Sequence, residues 1–180
     1  MTEQGPGMDT TVIQIKDSFF DEKMFTYIRR HVTTKLIFER RYFDNTEKVK
    51  ENYYGSRFDW YKDKDLLDIF VKQAEKTFRL NIKQLVNMGG IDLKDLGPFK
   101  PHTDTKEGSK LNILVMIAGP TAVTNGTVFY TDEQLDIHVG FRENRAFVFP
   151  SGKLHSHHAS VVPNLKRYTA TIFVKDYELV

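Results

Sequence analysis

The chain has 180 residues and a mass of 21.0 kDa, with 40% hydrophobic and 28% charged residues. This globular composition excludes a disordered or fibrous chain and sets a single domain as the expectation. There is no cysteine, which excludes disulfides, thiolate zinc sites and thiol nucleophiles. Lys and Arg number 26 against 24 Asp and Glu, a net charge of +2 without a one-sided tail, so charge does not indicate a nucleic-acid partner.

In chain order, the stretch from Met1 to Met8 lacks the basic and apolar layout of a secretory signal. No apolar run reaches the roughly 18 residues of a membrane span. A soluble, cytoplasmic protein with no membrane partner is therefore expected. Val12, Ile13 and Ile15 open as a short strand. Asp17 or Ser18 is expected to cap a helix whose apolar face reads Phe20, Met24, Tyr27, Ile28 and His31. Partial alternation from Lys35 to Phe43 predicts a strand. Arg40 to Tyr61 interleaves aromatic and basic residues, either as a packed hairpin or as a lid or wall of a binding groove. Asp63 or Asp65 opens a second helix that buries Leu66, Leu67, Phe70, Val71, Ala74 and Phe78.

The pattern then turns to strands: Leu80–Met88, the apolar run Leu111–Ile117, Thr127–Tyr130, Leu135–Val139, Arg145–Phe149, Ser156–Val162 and Arg167–Val174. Asn125-Gly126, Gly140, Pro150-Ser151-Gly152 and Pro163-Asn164 separate the later ones, and turn-rich sequence fills the interval from Gly89 to Pro101. With 14 Phe, 8 Tyr and 1 Trp, this predicts a mainly β chain with flanking helices: an antiparallel sandwich or jelly roll. Residues 1–79 are expected to be helical and strand support with a possible substrate lid, and residues 80–176 the catalytic core, within one domain over 1–180.

Five of the six histidines fall after residue 101. His102 and Asp104 are two apart, so in an extended chain they share a face and can grip one ion. A histidine from a late strand completes two imidazoles and one carboxylate on one side of a metal, the arrangement of non-haem Fe(II) oxygenases. Arg167, permanently charged and fork-shaped, suits a carboxylate of a dicarboxylate co-substrate, and Thr169 shares its face. His31 reads as a boundary histidine and His138 as an ordinary strand residue. Asn112, Leu114 and Met116 share one face of the strand after His102 and Asp104, and that face is expected to line the pocket.

Pro101-His102-Thr103-Asp104, Asn125-Gly126-Thr127-Val128-Phe129, Phe147-Val148-Phe149-Pro150-Ser151, His158-Ala159-Ser160 with Pro163, and Arg167-Tyr168-Thr169 occur in this order. Together they resemble the Fe(II)/2-oxoglutarate dioxygenase superfamily, nearest to its prolyl-4-hydroxylase-like branch with small microbial and viral members. The resemblance covers residues 80–176. It implies a double-stranded β-helix (jelly-roll) core, Fe(II) held by His102, Asp104 and a late histidine, and 2-oxoglutarate clamped by Arg167 with Thr169. It further implies C–H hydroxylation with release of succinate and CO2, with ascorbate as accompanying reductant, on a peptide, protein or small molecule, a prolyl residue being the first choice. The chain departs from the family in two places. Leu85-Val86-Asn87-Met88 offers no tyrosine before the His-x-Asp element, and Asn125-Gly126 stands where paired glycines are common.

Counting forward from Phe149-Pro150-Ser151, family spacing points to His155 as the third ligand. Counting back from Arg167, it points to His157 or His158. The arginine anchor is given more weight here, so His158 is the expected ligand. Two other readings stay open. One is a jelly-roll metal- or ligand-binding module without turnover; the other is a cupin-type metal enzyme that does not use 2-oxoglutarate, for which Arg167 would be dispensable.

Overall fold

The computed structural model describes residues 12–42, 53–94, 101–121, 125–158 and 166–180. Its elements in chain order are β1 (Gln14–Lys16), α1 (Glu22–Thr34), β2 (Glu39–Tyr42), β3 (Tyr53–Asp59), α2 (Lys64–Phe78), β4 (Leu80–Leu85), β5 (Gly90–Lys94), β6 (Leu111–Ala118), β7 (Gly126–Thr131), β8 (Gln134–Gly140), β9 (Arg145–Pro150), β10 (His155–His158) and β11 (Arg167–Leu179). One antiparallel sheet runs β1-β9-β6-β11-β5-β3-β2, with β4 paired to the distal half of β11. The second runs β10-β7-β8, and an isolated bridge between His102 and His155 extends it by one residue pair. The order β5-β11-β6-β9 facing His102-β10-β7-β8 is a jelly roll. No helix among the described residues is long and apolar enough to cross a membrane.

The two cores follow from strand alternation. Along β6, Ile113, Val115 and Ile117 point toward the helices and join Ile28, Val32, Phe70, Ala74 and Phe78 in the larger core. Leu114 and Met116 point the other way, into the sandwich, where they meet Phe129, Val139, Phe141, Phe147 and Phe149. The run is apolar throughout because it is covered on both sides. β11 alternates as strictly, with Ala170, Ile172 and Val174 in the helix-side core. Its inward residues Arg167, Thr169 and Thr171 are polar and buried all the same. A sandwich interior that carries arginine and threonine marks where the fold gives packing over to a site.

Two sequence expectations change. α1 is capped by Asp21, whose carboxylate accepts from the Met24 N–H at 2.9 Å, and not by Asp17 or Ser18. Asp17 is instead engaged by Arg145 at 2.6 Å and Arg142 at 3.0 Å. α2 is capped by Asp63, as expected. The interval between Gly89 and Pro101 contains β5, paired to both β3 and β11, because Asp92 and Lys94 face the interior and so disguise a core strand as a polar loop. The described parts of the 40–61 stretch form the hairpin β2–β3, which widens the main sheet and is closed by an Arg41–Asp59 ion pair. Residues 43–52 of that expected lid, and 159–165 of the expected strand Ser156–Val162, lie outside the described residues. His31 stacks on Tyr27 with ring centroids 5.8 Å apart, and His138 is a strand residue paired with Val128.

Asn144 clips the entrance of α1 to the sheet. Its φ is +63°, its side-chain oxygen accepts from the Phe20 N–H and its amide donates to the Phe20 carbonyl, both at 2.9 Å. Asn144→Gly keeps the backbone conformation and loses both bonds, for an expected cost of about 1–3 kcal/mol. Asn144→Ala adds the left-handed penalty of about 1–2 kcal/mol. Urea midpoints should therefore rank wild type above Gly above Ala; equal midpoints for the two variants would contradict the backbone part of this account.

Candidate metal centre and its cavity

His102 and Asp104 arrive on a short extended segment pinned at both residues. His102 donates its N–H to the His155 carbonyl at 2.8 Å, and His155 returns the bond to the His102 carbonyl at 3.0 Å. The Asp104 N–H donates to the Ser151 carbonyl at 2.9 Å. This reciprocal pairing brings His102, Asp104 and His155 together, with one ligand atom from each lying within 4.8 Å of the others. The His102 Nε2 is 3.7 Å from Asp104 Oδ1, and the His155 Nε2 is 3.2 Å from Asp104 Oδ2.

His155 is buried between the rings of Phe149 and Phe129, with centroids 4.9 and 5.9 Å away. Its Nδ1 lies 2.9 Å from the Lys153 carbonyl. A carbonyl only accepts, so Nδ1 carries the proton and Nε2 turns its lone pair toward the Asp104 carboxylate. Two lone pairs facing each other at that distance require a cation between them, a second proton or a metal ion. A histidine fixed through Nδ1 to a backbone carbonyl is also the usual posture of a metal-ligating imidazole.

Asp104 is held from the other side. Asn112, fully buried, donates from Nδ2 to Asp104 Oδ2 at 2.7 Å, and its own Oδ1 accepts from Ser151 Oγ at 2.8 Å. Burial pushes the Asp104 carboxyl up, but His155, His102 and Asn112 outweigh it and hold the group below its usual range. It is a carboxylate at neutral pH. Asn112 is the functional residue that the sequence reading left as one of three pocket-face candidates. Its signal was a single carboxamide in a strand otherwise made of Leu, Ile, Val, Met and Ala, where a buried polar group must have a partner. Leu114 does line the cavity, whereas Met116 is in the inter-sheet core.

Among the described residues the histidine that stands beside His102 and Asp104 is His155; the expected ligand His158 has a side chain that lies outside the described residues. Arg167 is bonded to His157 and to the start of β7. Its Nη2 lies 2.8 Å from His157 Nδ1, and its Nη1 donates to the Gly126 carbonyl at 2.8 Å and to Asn125 Oδ1 at 3.3 Å. His158 ends β10, opposite Gly126; its side chain is outside the described residues. Burial pulls the Arg167 guanidinium down to about 10, with Asp92 opposing, and it stays charged at neutral pH. Burial, together with Lys94 and Arg167, pushes His157 well below the usual range, so it accepts from Arg167 as a neutral ring.

A cavity of 410 Å³ opens over the triad, lined by the apolar Leu114, Phe149 and Phe173 and by the charged Arg57, Asp92 and Lys94. Arg57 grips Asp92 with both Nε and Nη2, at 2.8 and 3.0 Å. Of the inward residues of β11, Thr171 and Phe173 line this cavity. Thr169, expected to bind the co-substrate with Arg167, pairs across β5 with Asp92 and does not line it.

No protein-family model and no curated protein matches this chain. Solved structures do. A prolyl hydroxylase from Trichoplax adhaerens, in complex with a hypoxia inducible factor oxygen degradation domain peptide fragment, is similar with a TM-score of 0.64 at 13% identity, over 92% of this chain and 84% of that one. A Pseudomonas putida prolyl-4-hydroxylase gives 0.62 at 13% identity over 93% and 94%. EvdO2 from Micromonospora carbonacea var. aurantiaca, complexed with 2-oxoglutarate, gives 0.64 at 14% identity over 95% and 89%. The chain shares the fold of these proteins.

Removing the Asn112 carboxamide should release Asp104. In Asn112→Ala, Mn(II) or Zn(II) affinity measured by calorimetry is expected to fall about 10–100-fold, with circular dichroism confirming an intact fold. Wild-type affinity in that variant would show that Asp104 is held by other means.

Proposed function

We propose that this chain is an Fe(II)- and 2-oxoglutarate-dependent oxygenase that hydroxylates an unactivated C–H bond. The observation that carries this reading is the convergence of His102, Asp104 and His155 at the open end of the jelly roll. Two imidazoles and one carboxylate on one side of an ion leave positions for a co-substrate and for O2, and this donor set suits ferrous iron. The facing lone pairs of His155 and Asp104 are the place such a cation fills.

The co-substrate has a matching feature. Thr127 Oγ1 is buried without a hydrogen-bond partner. Thr127 follows Gly126, whose carbonyl accepts from Arg167, and it sits opposite His157 in the register of β7 and β10. A hydroxyl donor beside a buried guanidinium suits a carboxylate, and Thr127 joins Thr169 as a second hydroxyl for this part. Glycine at 126 lets β7 lie close against β8: a Cβ there would run into the Val139 carbonyl.

When bound, iron and 2-oxoglutarate supply the O2 chemistry, with succinate and CO2 as products and the C–H bond of the substrate as the target. The chain's own part is to hold and exclude. Asn112 and the Lys153 carbonyl fix the ligands' orientation. Arg167 orients the dicarboxylate, with neutral His157 bracing its fork. Leu114, Phe149 and Phe173 keep water from the reacting end. Two of the structural neighbours are prolyl hydroxylases and one is complexed with a peptide fragment, which supports a peptide or protein substrate and keeps a prolyl residue as the first choice. Ascorbate is included as a reductant on the same analogy.

The test is succinate formation from 2-oxoglutarate under O2 with Fe(II) and ascorbate; no succinate above the metal-free blank would favour a binding module without turnover. Arg167→Ala should weaken 2-oxoglutarate binding to the Zn(II)-loaded protein by tens to thousands of fold. Removing one partner of a buried, charge-assisted pair costs about 2–5 kcal/mol, and metal affinity should stay near wild type. Unchanged 2-oxoglutarate affinity would make Arg167 dispensable and favour the cupin-type reading.

A further inference from the structure

Next to Asp104 lies a buried cluster of polar side chains that the proposed reaction does not use. Ser109, Asn112 and Ser151 are all buried, and their polar atoms meet in one place. Ser109 Oγ is 2.7 Å from Ser151 Oγ, Ser151 Oγ donates to Asn112 Oδ1 at 2.8 Å, and Asn112 Nδ2 donates to Asp104 Oδ2 at 2.7 Å. Longer contacts of Ser109 Oγ, 3.3 Å to the Leu111 carbonyl and 3.4 Å to Asn112 Oδ1, complete the cluster. It joins the segments that bear candidate ligands. Ser109 closes the 3-10 turn Lys106–Gly108 that follows Asp104, Asn112 stands on β6, and Ser151 begins the turn from β9 to His155 on β10. The Ser151 main chain ties the same parts: its N–H donates to the Lys110 carbonyl and its carbonyl accepts from the Asp104 N–H, each at 2.9 Å.

Counting protons gives the cluster a direction. The Asn112 amide nitrogen faces Asp104, so its carbonyl oxygen faces the serines, and that oxygen only accepts. Ser151 has one hydroxyl proton and gives it to Asn112. Toward Ser109 it can then only accept, so the 2.7 Å contact runs from Ser109 to Ser151. Ser151 alone satisfies the Asn112 oxygen. Ser109 is not needed for that count, and what it adds is the strength and direction of the bond beyond it, because hydrogen bonds aligned head to tail polarise one another in a buried setting.

Resting on the reading of His102, Asp104 and His155 as a metal centre, we propose that Ser109 and Ser151 are positioning residues for Asp104. They form a one-way relay, Ser109 to Ser151 to Asn112 to Asp104, that holds the carboxylate in one orientation before the ion arrives. Two effects compete. A stronger donor draws charge from the carboxylate and weakens it as a ligand, whereas a carboxylate already fixed loses no rotational freedom on binding. Removing the partners of metal ligands lowers metal affinity about 10–100-fold, so orientation outweighs basicity. The effect declines along the relay, from Asn112 through Ser151 to Ser109.

The experiment titrates Mn(II) by calorimetry into the full chain as wild type, Ser109→Ala, Ser151→Ala, Asn112→Ala and the double variant of Ser109→Ala with Asn112→Ala, with circular dichroism checking the fold. The two serine variants should lose about threefold to tenfold in affinity, the range of one neutral buried hydrogen bond, with the larger loss in Ser151→Ala. The double variant should match Asn112→Ala to within about twofold, because the relay then has no end to act through. The visible absorption of Co(II)-saturated protein should shift in both serine variants, which a loss of stability alone would not produce at saturation. If Ser151→Ala does not fold, Ser109→Ala decides, since it leaves Asn112 satisfied. Wild-type affinity and spectrum in Ser109→Ala, or an undiminished further loss from Ser109→Ala beside Asn112→Ala, would overturn the relay while leaving the metal centre standing. Failure of the wild type to bind Mn(II) would overturn the metal centre and the relay with it.

Discussion

The pair of backbone hydrogen bonds between His102 and His155 is the contact on which the site depends. It joins the segment entering β6 to the start of β10, and thereby closes one end of the sandwich between its two sheets. It also fixes two imidazoles at a ring separation of 4.4 Å, so the geometry of the candidate metal centre is set by main-chain pairing rather than by flexible side-chain choice. Asp104 inherits its position from the same segment through the Ser151 carbonyl, and Ser151 in turn donates to the Asn112 that orients the Asp104 carboxylate. Ligands and their supports thus form one connected network whose strands are the fold itself, which is how a site is held to the tolerance that chemistry needs.

That network has a cost in packing. The inward faces of β5 and β11 place Asp92, Lys94, Arg167, Thr169 and Thr171 where an ordinary sandwich would bury aliphatic residues. Two of these charges have partners close by: Asp92 has Arg57, and Arg167 has carbonyl and carboxamide acceptors and a neutral imidazole. Buried pairs of this kind contribute little net stability. The large core under the helices, with Phe70, Phe78, Ile28, Ile91 and Ile113 fully or almost fully buried, carries the folding energy that the functional end of the molecule forgoes.

Much of this was legible in the sequence because strand periodicity and local chemistry agreed. The alternation Arg167, Thr169, Thr171 against Ala170, Ile172, Val174 marked a two-faced strand, and the spacing of His102 and Asp104 placed them on one side of an extended segment. What was not legible depended on pairing between distant strands. β5 read as a loop because its interior residues are charged, and their partners, Arg57 on β3 and Arg167 on β11, lie 35 and 73 positions from Asp92 and Lys94. The choice among His155, His157 and His158 turned on where β10 begins relative to His102, a register set by two hydrogen bonds that no local pattern records. Asn112 could have been singled out as a polar residue in a fully buried run, but its partner Asp104 precedes the strand and becomes visible only once the chain has folded back.

The central claim is that one divalent ion is held by His102, Asp104 and His155. It is tested most directly by the stoichiometry and affinity of Mn(II) binding, read by electron paramagnetic resonance under anaerobic conditions, for the wild type and for His155→Ala and His158→Ala. The account predicts one ion per wild-type chain, its loss in His155→Ala and its retention in His158→Ala. Retention in His155→Ala with loss in His158→Ala would contradict the arrangement described here.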